Sequence, residues 1–267
     1  MTSLQRSAPV RWVAPLLVAL AAIAGNCTEI GTNPTIITAL EFDSLPFPAA
    51  VTGDTLRDSL GNAAPLHAIA FNGAGNVIAN ASITYFALDS GITIGPTGIV
   101  TAQLRNGTVR IIASVAGLQS SAETLIVARR PDSVIATQRV DTLLYSTPDS
   151  VGVNVVPALP LQVATRDTVG GITGTQGWLV SYQVFFHGKA LAIADTTIAS
   201  LWNAAGLPAL IDTTQSGGTV SPQLRVRSTL LPTLTESLTV VASVRYRGAP
   251  VTGSPVTYLI QLRPKPH

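Results

Sequence analysis

Hydrophobic residues recur at every second position in several parts of this chain, and that period predicts β-strands with one face in a core. Val109, Ile111, Ala113 and Val115 alternate with Arg110, Ile112, Ser114 and Ala116. Near the C-terminus Leu224, Val226 and Ser228 alternate with Arg225, Arg227 and Thr229, and Leu238, Val240, Ala242, Val244 and Tyr246 alternate with Thr239, Val241, Ser243, Arg245 and Arg247. Short apolar runs predict further strands at Thr35–Phe42, Leu66–Phe71, Tyr85–Leu88, Ile92–Ile94, Ile99–Ala102, Thr124–Val127, Trp178–Phe186 and Val256–Leu262. Between them stand residues that tolerate turn dihedrals: Asn72-Gly73-Ala74-Gly75-Asn76, Asp89-Ser90-Gly91, Gly95-Pro96-Thr97-Gly98, and Asn106-Gly107, the dipeptide best suited to a tight hairpin. From Gly188 to Ser221 the patterning is poor. A structureless loop of that length is uncommon in a compact domain, so a strand is expected there, with Thr197–Trp202 the best segment.

Composition sharpens this into an all-β reading. Charged residues are only 11% of the chain, but 46% are hydrophobic, which argues against disorder. The 22 glycines and 18 prolines fall as turn markers among Val, Ile, Thr and Leu. At 267 residues there is room for two domains and a targeting segment. A net charge of +2 sets up no strong field, so nucleic acid is not an expected partner. One cysteine excludes an internal disulfide framework.

The order Ser90-Gly91-Ile92-Thr93-Ile94, then Gly98-Ile99-Val100-Thr101-Ala102, then Gly107-Thr108-Val109-Arg110-Ile111-Ile112-Ala113 resembles the bacterial immunoglobulin-like domains of the group 2, intimin/invasin-associated type. The resemblance covers about residues 35–128, with Tyr85-Phe86 where the family usually carries tryptophan. Arg129-Arg130-Pro131-Asp132 closes this unit, and a looser immunoglobulin-like resemblance covers 131–263, through Pro160–Asp167, Gly170-Gly171 and Trp178–Phe186. The resemblance implies two tandem immunoglobulin-like β-sandwiches in a cell-surface or periplasmic protein, acting as spacer, adhesin or assembly partner. The expected divisions are a signal segment 1–27, a tether 28–34, the two sandwiches, and a tail 264–267.

The leader carries Arg6, Arg11 and no acidic residue before an apolar run, Val13–Ala24. At about 12 residues the run suits a secretory signal and falls short of the ~20 that a membrane-crossing helix needs, so export to the cell envelope is expected. Two processing sites fit. Ala22-Ile23-Ala24 suits ordinary signal peptidase, whereas Ala24-Gly25-Asn26-Cys27 resembles a lipoprotein site that would make Cys27 a lipid anchor.

Chemistry is sparse. The sequence lacks Gly-x-Ser-x-Gly, His-Glu-x-x-His, a phosphate-cradling glycine loop and a calcium loop. His67 reads as a half-buried strand residue and His187 as an exposed strand end, and neither has a partner at metal or general-base spacing. No catalytic residue, metal or cofactor is expected, and the chain reads as a non-enzyme. Two features are candidates for binding. If the last two alternating strands form a hairpin, Arg225, Arg227, Arg245 and Arg247 share an outer face suited either to anionic groups of an envelope polysaccharide or simply to water. Trp178 and Trp202 serve either as core filler or as platforms on which sugars stack, the latter making the chain a carbohydrate-binding accessory module. The expected partner is an envelope protein or polysaccharide.

Overall fold

The computed structural model describes residues 36–103, 106–145, 153–155, 159–166, 171–193, 198–227 and 236–264, and among them every regular element is a strand. The signal segment, Cys27 and the tether lie outside the described residues. The N-terminal group comprises β1 (Ile37–Phe42), β2 (Ala49–Val51), β3 (Ala68–Asn72), β4 (Thr84–Ala87), β5 (Ile92–Ile94), β6 (Val100–Ala102), β7 (Gly107–Val115), β8 (Leu118–Gln119) and β9 (Glu123–Ala128). One sheet has the order β2-β9-β7-β4, with β8 also on β7, and the pairs β1-β3 and β5-β6 complete the group. The alternation along β7 is realised: Val109, Ile111, Ala113 and Val115 are buried, together with Leu125 and Val127 of β9 and Val100 of β6. Ile112 points the other way and is also buried, directly across from Phe86.

The C-terminal group comprises β10 (Ser133–Ile135), β11 (Val140–Tyr145), β12 (Val153–Val155), β13 (Leu161–Arg166), β14 (Ile172–Gly174), β15 (Leu179–Phe186), β16 (Lys189–Ala190), β17 (Ala199–Trp202), β18 (Ile211–Thr213), β19 (Thr219–Val220), β20 (Gln223–Arg227), β21 (Glu236–Ser243), β22 (Arg245–Tyr246), β23 (Ala249–Pro250) and β24 (Val256–Pro264). A six-stranded sheet runs β11-β24-β21-β15-β16, with β18 also on β15. Other layers are β10-β13-β14 with β19 on β13, the sheet β12-β20-β17, and the ribbon β22-β23.

The two groups repeat one path. In each, an early strand runs parallel to the last strand, which pairs antiparallel with a long strand, which pairs antiparallel with a third: β2-β9-β7-β4 and β11-β24-β21-β15. Each sheet buries alternate residues against opposing strands of its own group, the layered arrangement of an immunoglobulin-like sandwich. Every described ladder stays within one group. The buried side chains nevertheless run together as one hydrophobic cluster across both groups.

Two expectations about pairing are corrected. Asn106-Gly107 is not a hairpin turn, because β6 pairs with β5 whereas β7 pairs with β4, β8 and β9; the dipeptide lies where the chain changes sheet. The hairpin is one turn earlier, at Gly95–Gly98, where Gly95 N–H donates to the Ile99 carbonyl and Gly98 adopts φ +79. Nor do β20 and β21 form a hairpin: β20 takes β12 and β17 as neighbours, and β21 takes β15 and β24. Both strands bury one face, Leu224 and Val226 on one and Leu238, Val240 and Ala242 on the other, and a sandwich can satisfy that with the strands in different sheets. Among the described residues the stretch from Gly188 to Ser221 holds four short strands, β16 to β19, including most of the expected segment as Ala199–Trp202.

Candidate functional site

The densest cluster of interacting side chains lies where the two groups meet. Asp54 follows β2 in a tight turn, its N–H donating to the Val51 carbonyl at 2.8 Å and its own carbonyl accepting from Ala102 N–H at 2.9 Å. The turn aims the carboxylate at the C-terminal group. Its Oδ1 accepts from Thr55 N–H and Arg57 Nη2, each at 2.9 Å, and forms an ion pair with Arg247 Nη2 at 2.9 Å. Oδ2 accepts from the Tyr246 hydroxyl at 2.7 Å, Arg247 Nε at 2.9 Å and Arg57 Nε at 3.0 Å. One carboxylate thus receives two bidentate guanidinium groups and a phenol, although only 8% of its surface is exposed. Arg57 also donates through Nη1 to the Gly61 carbonyl at 2.9 Å.

Burial on its own would raise the Asp54 pKa, but the hydrogen bonds from Arg57, Arg247, Tyr246 and Thr55 outweigh it and hold the carboxyl far below the ordinary carboxylate range. The Tyr246 phenol is pushed up, first by burial and then by donating its proton toward Asp54.

Aromatic rings close the rest of the joint. Phe47 of the N-terminal group lies 4.8 Å from Trp178, which lies 6.0 Å from Tyr246. Both pairs are tilted, an arrangement that aromatic quadrupoles favour. The Trp178 indole N–H donates to the Arg245 carbonyl at 3.1 Å, and its backbone N–H donates to Thr214 Oγ1 at 2.8 Å. The guanidinium groups of Arg130 and Arg247 each lie 5.4 Å from the Tyr246 ring. A cavity of about 20 Å³ remains, room for about one water and far too small for a substrate.

Three of the four arginines singled out in the sequence, Arg225, Arg245 and Arg247, are not brought together on one face. Arg225 stacks on the Trp202 ring at 3.6 Å in the sheet β12-β20-β17; its Nε is buried without a hydrogen-bond partner, and the indole face supplies the compensating contact. Arg245 is exposed on β22, and Arg247 sits in the turn after it and binds Asp54. The Arg227 side chain lies outside the described residues. Trp178 is buried in the joint, and Trp202 is half-buried, its N–H donating to Ser200 Oγ at 2.8 Å.

Both described histidines are exposed and paired. His67 Nδ1 lies 3.1 Å from Asp43 Oδ2, so it is more open than the half-buried position expected. His187 Nε2 lies 2.8 Å from Glu236 Oε2, and its ring stacks on Phe186. A groove of about 490 Å³ beside β3 contains His67 and Tyr85 as its ionisable side chains and is otherwise lined by residues such as Leu66, Ala70 and Ile83. Among the described residues no three His, Cys, Asp or Glu side chains gather in a way that suits a metal.

Sequence reading passed over Asp54, Arg57 and Phe47, and took Tyr246 only as an alternating strand position. The three-residue spacing of Asp54 and Arg57 was a local hint of an ion pair. Nothing local pointed to Arg247, which lies 193 positions from Asp54.

No protein-family profile matches the sequence, and no curated protein matches it. Among solved structures, domains 4 and 5 of the S-layer protein SbsC are similar over 85% of this chain and 98% of theirs, at 11% identity and a TM-score of 0.27. The Yersinia pseudotuberculosis adhesin InvE is similar over 86% of this chain and 61% of its own, at 12% identity and a TM-score of 0.31. The Escherichia coli adhesin FdeC is similar over 83% and 63%, at 15% identity and a TM-score of 0.27.

Proposed function

We propose that this chain is a non-enzymatic module of the bacterial cell surface or envelope, in which two immunoglobulin-like sandwiches, 35–128 and 131–263, act together as a spacer or adhesion and interaction unit. The observation that supports this reading is the Asp54 joint. A protein whose task is to present a surface at a set distance gains from fixing the angle between its domains. Here the Asp54 network and the bridging aromatic cluster serve that contact and leave between them a cavity of only about 20 Å³. The partner class is an envelope protein or polysaccharide, met by exposed sheet faces. A lipid anchor at Cys27 belongs to the same reading, because a spacer needs a fixed end.

Fractionation of cells producing the full chain tests it. The expected result is recovery with the envelope and cleavage by protease added outside the cell or, after permeabilising the outer membrane, in the periplasm. Recovery in the cytosolic fraction overturns the reading. Cys27→Ser is expected to release the protein from membranes; unchanged recovery there removes the anchor and leaves the surface assignment standing.

A further inference from the structure

We infer that the outer face of the six-stranded sheet is the surface through which two copies of this chain associate. Along β11, β24, β21 and β15 the inward positions are occupied by buried side chains such as Leu143, Ile260, Val240 and Val184. Of the outward positions on these four strands, Arg263 alone is charged, at the margin, with its Nη2 already donating to Gln261 Oε1 at 2.7 Å. A cross-strand row of Val140, Leu259, Thr239 and Phe185 runs over the middle. Val140 is 57% exposed, Leu144 50%, Leu259 37%, and Ile211 on neighbouring β18 52%.

Solvated sheet faces normally carry charge, whereas of the fifteen outward side chains here six are apolar, eight are Ser, Thr or Gln and one is charged. Five strands at about 4.8 Å spacing and about six residues of about 3.3 Å each give a footprint of roughly 500 Å². Covered on both partners, that is about 1,000 Å², the size at which a contact becomes specific. A charged partner finds nothing to hold on such a surface. The same face on a second copy does match it: nearly uncharged, with little self-repulsion, and able to stack as one sheet on another about 10 Å apart about a two-fold axis.

The test is chemical cross-linking of the full chain with Cys27→Ser as background. Thr257→Cys, exposed on this face, is expected to give a covalent dimer with a short bis-maleimide, whereas Thr93→Cys, exposed on β5, gives none. Adding Thr239→Asp and Leu259→Asp places facing carboxylates in the contact and is expected to abolish the dimer. Gln183→Glu, a near-isosteric change at an exposed position, is expected to weaken it at least several-fold, and serves if the double variant does not fold. Three results each overturn the inference: no dimer from Thr257→Cys, equal yield from Thr93→Cys, or indifference to the introduced carboxylates.

Discussion

Asp54 is nearly out of water yet remains ionised, because six donors converge on its two oxygens. Removing the charge leaves two guanidinium groups facing each other without a counter-ion, so Asp54→Asn is expected to cost about 2–4 kcal/mol, measured by urea unfolding. The exposure of Arg247 places the value below that of a fully buried pair. The pH dependence follows from the direction of the shift. The folded pKa lies below the unfolded value of about 3.9, so the stabilisation is present in full above that pH and is eroded progressively beneath it. Melting temperatures between pH 7 and about pH 5 should therefore show no loss that traces to this group, and a loss there that disappears in Asp54→Asn would contradict the assignment. Asp89 follows the same logic on the surface, where hydrogen bonds from the side chain and then the backbone of Arg110 bring its carboxyl down to about 2.

At the scale of elements, the strands were legible wherever a run was long and alternated cleanly. β7, β20 and β21 were visible in the sequence because burial of every second side chain imposes the period. Pairing was not legible. The expectation at Asn106-Gly107 failed because a turn-prone dipeptide reports local dihedrals and not which strands meet. Three two-residue connections, Ala116-Gly117, His187-Gly188 and Arg247-Gly248, all place a non-glycine residue near φ +50 before a glycine and join paired strands. The last of them removed Arg247 from the strand in which its alternation had placed it. That turn also presses against Gly61, where an added Cβ would stand 2.2 Å from Gly248 N and 2.4 Å from the Arg247 carbonyl carbon. Gly61→Val should therefore press the groups apart, and because Gly61 also adopts φ +95 it strains its own turn as well, at a combined cost of about 1–3 kcal/mol or more. Small-angle scattering should then show a larger, more variable particle with circular dichroism unchanged; a profile identical to the parent protein would show that the joint yields without opening.

For the molecule as a whole, composition was enough to indicate an all-β chain, and the polar joint was invisible because its partners are drawn from opposite ends of the sequence. The aromatic bridge was hidden for a related reason: Trp178 and Phe47 are apolar residues in apolar surroundings, and nothing in their neighbours shows which group each will face. One shared feature of the two groups bears on how the molecule responds to pulling. The parallel ladder of β11 with β24 spans six residue pairs, and that of β2 with β9 spans three. Tension that draws the early strand backward and the last strand forward slides each pair lengthwise, so all bridging hydrogen bonds in a ladder share the load and none peels first. In single-molecule stretching the C-terminal group should accordingly rupture at the higher force, its longer clasp acting as the stronger mechanical fuse.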